Sequence, residues 1–168
     1  SCVVIVSEQR DDPDNPPGVI TTPAYQFQIP GSLWVHDITA RDGRLYVAAW
    51  ETLEVFDVSD LGNGPPVWLG RADGVGVHSV WPTDDGRFLV TAEERTRGPL
   101  RLYEVIEGVG SVTLLPRDTF APPYAVAATA HNPVMRGDML YASYMQAGLM
   151  VLAIDPDRAR LHLVASYD

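Results

Sequence analysis

Lysine is missing from this chain. Its twelve basic side chains are all arginines, set against 22 acidic residues, and the net charge is −10. A nucleic-acid partner needs basic patches that release counterions, so this balance argues against one. There is a single cysteine, Cys2, which excludes an intrachain disulfide. No apolar run is long enough to span a bilayer, so no membrane span is expected, and no signal sequence is present in the stretch. No N-x-Ser/Thr glycosylation acceptor occurs. Neither G-x-S-x-G, a P-loop nor G-x-G-x-x-G is found, which removes three common routes to nucleophilic or phosphate chemistry. The long helical periodicity that a βαβ fold needs is also lacking.

What is present is β-forming sequence in repeating units. VVIVS (3–7) and AYQFQI (24–29) read as strands, separated by the acidic, proline-rich loop EQRDDPDNPPG. From Val35 the plan is VHDIT, a turn ending in Gly43, then RLYVAAW, TLEVFDV and VWLGR. From Val77 it is VHSVW, a turn ending in Gly86, then RFLVTAE, LRLYEV and VTLLPR. A third copy follows from Ala130, with its turn at Gly137. The three turn glycines are 43 and 51 residues apart. Periods of about 40–50 residues with four strands each are the signature of propeller blades. The expected fold is all-β: a segment of a β-propeller built from four-stranded antiparallel blades. It divides into the second half of a blade (1–30) and three blades (35–73, 77–120 and 130–168), with strands near 44–50, 53–58, 87–93, 100–105, 139–145 and 149–154. Three and a half blades do not close a ring. The rest of the propeller, or other subunits, is therefore expected to cover the open blade faces.

The third-strand pattern VVIVS, LEVFDVSD, LRLYEV and LMVLAIDP resembles the LVIVD repeat. HNPVMRGDMLYASYMQAGLMVLAIDP is similar to surface proteins of the choice-of-anchor B type, and VHSVWPTDDGRFLVTAEE looks like the preceding blade of that family. Ser7 and Ala153 depart from it, standing where the repeat usually carries Asp. The resemblance implies an exported or cell-surface propeller and specifies no substrate.

Histidines 36, 78 and 131 recur at the start of each first strand, seven, eight and six residues before the turn glycine. In an antiparallel hairpin that position lies beside the end of the second strand, here Trp50-Glu51, Glu93-Glu94 and Tyr144-Met145-Gln146. The expected ligand rim is therefore His36, His78, His131, Trp50, Glu93 and Tyr144. Imidazole and carboxylate can hold a divalent transition metal, and selenium-binding-protein-like propellers are similar in this respect. If a metal is held, its ligands would be His36, His78, His131 and Glu93. The opposing reading is structural: one histidine per blade, tying a loop to its neighbour. Inner strands of successive blades should stand roughly 8–10 Å apart, too far for three rings to share one ion easily. Hydrogen-bonded structural histidines, and no cofactor, are the expectation.

Other candidates read as structural. Asp57 and Glu104 end third strands and should accept backbone N–H bonds in the following turn. Asp11, Asp12, Asp14 and Asn15 offer hard oxygens for calcium but lack EF-hand spacing. His162 should lie on an outer strand. Trp34, Trp50, Trp81 and Tyr144 either line a rim or fill space between blades. The leading functional expectation is a non-enzymatic surface module that binds a protein or ligand, or serves a structural role. The alternative is a metal-dependent propeller enzyme working at the histidine rim.

Overall fold

Branched and aromatic residues dominate the chain's extended runs, and in the computed structural model these runs become thirteen antiparallel strands among the described residues. Those residues are 3–11, 19–29, 31–32, 34–123 and 127–167. A two-stranded sheet comes first, β1 (Val3–Asp11) with β2 (Val19–Gln28). A continuous ladder follows: β3 (Asp37–Arg41), β4 (Arg44–Ala48), β5 (Trp50–Asp57), β6 (Val67–Pro82), β7 (Phe88–Glu93), β8 (Leu100–Gly108) and β9 (Ser111–Phe120). The last sheet is β10 (Thr129–Arg136), β11 (Met139–Met145), β12 (Gly148–Asp155) and β13 (Arg160–Tyr167). No helix of the described residues is long and apolar enough to cross a membrane.

Two boundaries differ from expectation. VWLGR and VHSVW were read as separate strands, yet they are the two ends of β6. Its first part pairs with β5 as the outer strand of one blade, and its second part pairs with β7 as the inner strand of the next. Gly76, at a φ of +70°, lets the backbone pass between them without a side-chain clash. In the other case the first hairpin is longer than expected: β1 runs on to Asp11, where a loop was expected from Glu8, and β2 starts at Val19 ahead of the expected Ala24. Cys2, Asp12, Asp14 and Asn15 lie outside the described residues.

The three turn glycines, Gly43, Gly86 and Gly137, all have positive φ (75°, 68° and 57°). That is the left-handed region that the aligned positions required. Side-chain alternation then sends each blade's apolar residues to both of its faces. Leu45, Val47 and Phe56 pack toward Phe27 and Ile29 of the first sheet. Tyr46, Ala48, Leu53 and Val55 pack toward Leu89, Tyr103 and Val105 of the following blade. Phe88, Val90 and Leu102 pack in turn against Leu140, Met150 and Leu152 of the last. The core is thus three layers between blades rather than one central nucleus. That is why strand faces that would be wet in an isolated sheet are apolar here.

Candidate functional site

Two of the three histidines sit where the inner strands break register, and the third just ahead of its strand. His36 immediately precedes β3, and its N–H donates to the Ala48 carbonyl at 2.9 Å. His78 falls at the irregularity between Val77 and Ser79, and His131 at the one between Ala130 and Pro133. An extra residue in one strand bends it and re-aims the side chain. Hydrogen bonds between blades hold these ends together. The Ser79 hydroxyl donates to the His131 carbonyl, the Ala130 N–H to the Gly98 carbonyl, and the Thr39 hydroxyl to the Val80 carbonyl.

The three imidazoles consequently form a row. Ring centroids are 5.1 Å apart for His36 and His78, and 4.3 Å for His78 and His131. Strand spacing alone predicted a wider separation; the re-aimed side chains lean across the gap between blades. Glu94 stands over the row. One carboxylate oxygen is 3.3 Å from His78 Nε2, and the other is 3.8 Å from His131 Nε2. One donor atom each from His36, His78 and Glu94 lie within 4.8 Å of one another.

The donor set suits a divalent transition metal. Ligands about 2.1 Å from an ion can be at most about 4.2 Å apart, so the three groups need only a small inward movement. His78 Nδ1 is buried with no hydrogen-bond partner, which leaves a ring nitrogen unsatisfied. Burial of His78, with the neighbouring His131 and His36 adding to it against the pull of Glu94 and Asp37, holds its pKa below the ordinary imidazole value. The ring is thereby kept neutral, the form that binds metal. Asp37 is shifted up, chiefly by its own burial.

Two residues expected on the rim are elsewhere. Glu93 is 1% exposed and accepts from Arg95 and from both Nε and Nη2 of Arg101. Its neighbour Glu94 takes the rim position because β7 ends at Glu93 and the chain turns outward, with the Glu94 N–H donating to Gly76. The arginine eight residues on, across the β7–β8 hairpin, was the available signal. Tyr144 is buried; its hydroxyl accepts from the Leu100 N–H (3.1 Å) and donates to the Phe120 carbonyl (2.7 Å), tying the last blade to the one before. Trp50 does reach the rim, 4.8 Å from His36 between ring centroids, and Trp34 lies beyond at 6.5 Å. Trp81 packs against the layer between the last two blades. His162 is exposed on β13. Asp57 caps its turn through the Ser59 N–H and hydroxyl as expected, whereas Glu104 instead pairs with Arg87 and Arg117. Asp155, two residues beyond Ala153, does the capping in the last blade.

No family model matches the sequence, and no curated protein matches it. Solved structures do match. A periplasmic gluconolactonase of Pseudomonas aeruginosa aligns with a TM-score of 0.68 at 17% identity, over 98% of this chain and 50% of that one. A Bacteroides fragilis protein provisionally named a 6-phosphogluconolactonase aligns at 0.66 and 13%, over 85% and 42%. A β-propeller domain from Myceliophteria thermophila aligns at 0.58 and 13%, over 89% and 50%. The fold is a partial β-propeller. The chain spans about half the length of the solved structures it matches. The expectation of a non-enzymatic surface module is not borne out: two of these neighbours carry lactonase names.

Proposed function

We propose that this chain contributes the metal-binding rim of a propeller hydrolase acting on a sugar lactone. The observation that carries the reading is the meeting of His36 of one blade with His78 and Glu94 of the next, with donor atoms within 4.8 Å. The lactonase names of two structural neighbours support the substrate class. A bound divalent cation would polarise the ester carbonyl and acidify a water. His36, His78 and Glu94 would hold it. His131, its Nε2 3.8 Å from Glu94, would take a proton from the attacking water and return one to the departing ring oxygen. Water adds to the carbonyl, the ring C–O bond breaks, and the hydroxy acid leaves.

The decisive experiment joins elemental analysis to titration of the metal-stripped protein with zinc or manganese. Near-stoichiometric binding is expected, falling at least tenfold in His36→Ala and Glu94→Gln. Hydrolysis of glucono-1,5-lactone in a pH-stat should follow metal content. Unchanged metal affinity in both variants, or lactone hydrolysis equal with and without chelator, would sink the reading.

Three further expectations belong here as proposals. The LVIVD-like third strands suggest kinship with that repeat family, and export would suit a relative of a periplasmic neighbour. The remaining blades of a ring, in the same polypeptide or another, would cover the outward apolar faces.

A further inference from the structure

Beside the imidazole row lies a surface that metal ligation does not use. Trp34 is 57% exposed, although burial of an indole is ordinarily favourable. With His36, Trp50 and Glu94 it lines a cavity of about 530 Å³. Trp50 has a φ of +62°, a left-handed conformation that is a genuine outlier for a bulky residue. The turn is held by bonds from the Ala49 N–H to the Thr52 carbonyl (2.9 Å) and from the Glu51 N–H to the Ala49 carbonyl (2.7 Å). Ser32 joins both tryptophan segments. Its hydroxyl accepts from the Trp34 N–H and lies 2.7 Å from each of the Ala49 and Trp34 carbonyls, to either of which it can donate. The strain therefore holds one indole against His36, and a shared hydroxyl sets the position of the other. Strain of this kind collects at functional sites.

We propose that Trp34 and Trp50 are the stacking floor for a neutral, polyhydroxylated ring, a sugar or sugar-derived ring without a phosphate. The proposal rests on reading the rim as the reaction site and narrows its substrate class. An indole face accepts the C–H face of a sugar ring, a flat aromatic or a cation, and the surroundings choose among them. Glu94 lines the same cavity, and the Glu51 carboxylate lies 3.3 Å from the Ser32 hydroxyl that joins the two segments; both would accept from ring hydroxyls. The same carboxylates repel a phosphate, and Arg95 and Arg101 are both engaged by Glu93. A metal on His36, His78 and Glu94 would repel an organic cation.

The test is calorimetry with methyl β-D-glucopyranoside, glucose 6-phosphate, choline and indole, on metal-stripped and on zinc-loaded protein. The glucoside should bind in both states, and on the metal-stripped protein, where the carboxylates keep their charge, glucose 6-phosphate should bind at least tenfold more weakly. Trp34→Ala should weaken glucoside binding at least tenfold and Trp34→Phe much less. Trp68→Ala, an indole bonded to Glu54 away from the rim, should leave it unchanged. Glucose 6-phosphate binding the stripped protein as tightly as the glucoside, choline doing so on the zinc-loaded protein, or indole doing so on either would overturn the proposal, as would an unaltered Trp34→Ala. Zinc binding without glucoside binding would overturn it while leaving the metal reading intact. Glucoside binding lost only in Trp34→Ala, with no zinc uptake, would uphold the stacking floor and discard the metal.

Discussion

His78 is the residue on which the rim's chemistry and its pH behaviour meet. Its pKa is depressed, mainly by burial, below the ordinary 6.5. In the interval between the folded and unfolded values the unfolded chain carries the extra proton, so stability rises with pH there. Its contribution is complete above about pH 6.5 and is lost as pH falls through the depressed folded value. Urea midpoints followed from pH 7.5 down to 5 should decline, and His78→Gln should flatten the decline. A parallel decline in the variant would remove His78 as the cause. Asp57, Asp85 and Asp155 are also depressed, chiefly by the bonds that their turns donate. Their loss belongs to a separate, more acidic window. Tyr144 makes a second prediction at this scale. Tyr144→Phe leaves the Leu100 N–H and the Phe120 carbonyl unpaired between blades, at a cost of about 1–3 kcal/mol in denaturant titration. Metal binding should be unaffected, since the hydroxyl is not on the rim.

At the scale of elements, turn and strand have different tolerances. Gly43 and Gly137 both need a positive φ, yet a Cβ on Gly43 would come within 2.9 Å of the Ser59 Cβ, while one on Gly137 would meet nothing within 4 Å. Gly137→Ala should cost about 1–2 kcal/mol from backbone conformation alone, and Gly43→Ala measurably more. Equal losses by thermal unfolding would show that the contact relaxes. These glycines were legible in the sequence because a repeat every 40–50 residues exposes a shared backbone need. The six second and third strands were legible for the same reason, since β-branched alternation is a local signal. The joined β6 was not, because the passage from one blade to the next interrupts pairing without interrupting extension. The rim was half legible. Repetition placed the three histidines at one end, but whether Glu93 or Glu94 faces them depends on where β7 stops. That in turn depends on Arg101, a partner that alternation within β7 does not reveal. The convergence of the rings was not legible, because the bulges that re-aim them leave no residue-level mark.

For the whole molecule, the packing is a series of layers, and the series ends on an apolar face. Residues of β11 to β13 that point back into the second blade are buried: Leu140, Ala142, Met150 and Leu152. On the opposite side Val151 is buried, but Tyr141, Met145, Leu149 and Tyr167 are all exposed. Adjacent strands carry them on one side of the sheet, Tyr141 beside Val151 and Ser143 beside Leu149. A patch of this kind exceeds the scattered apolar residues normal for a monomer surface. Among the described residues the blade faces between the first sheet and the last are layered against neighbours, and the same strand chemistry here has none. The protein on its own should therefore bind a hydrophobic dye such as ANS and self-associate with rising concentration in light scattering. Leu149→Asp combined with Tyr167→Asp, a pair across β12 and β13, should reduce both, with little loss of fold stability because both side chains point away from the layer behind the sheet. A monodisperse, cooperatively unfolding monomer without dye binding would mean that the face is satisfied in water. The need for further blades would then have to rest on the rim alone.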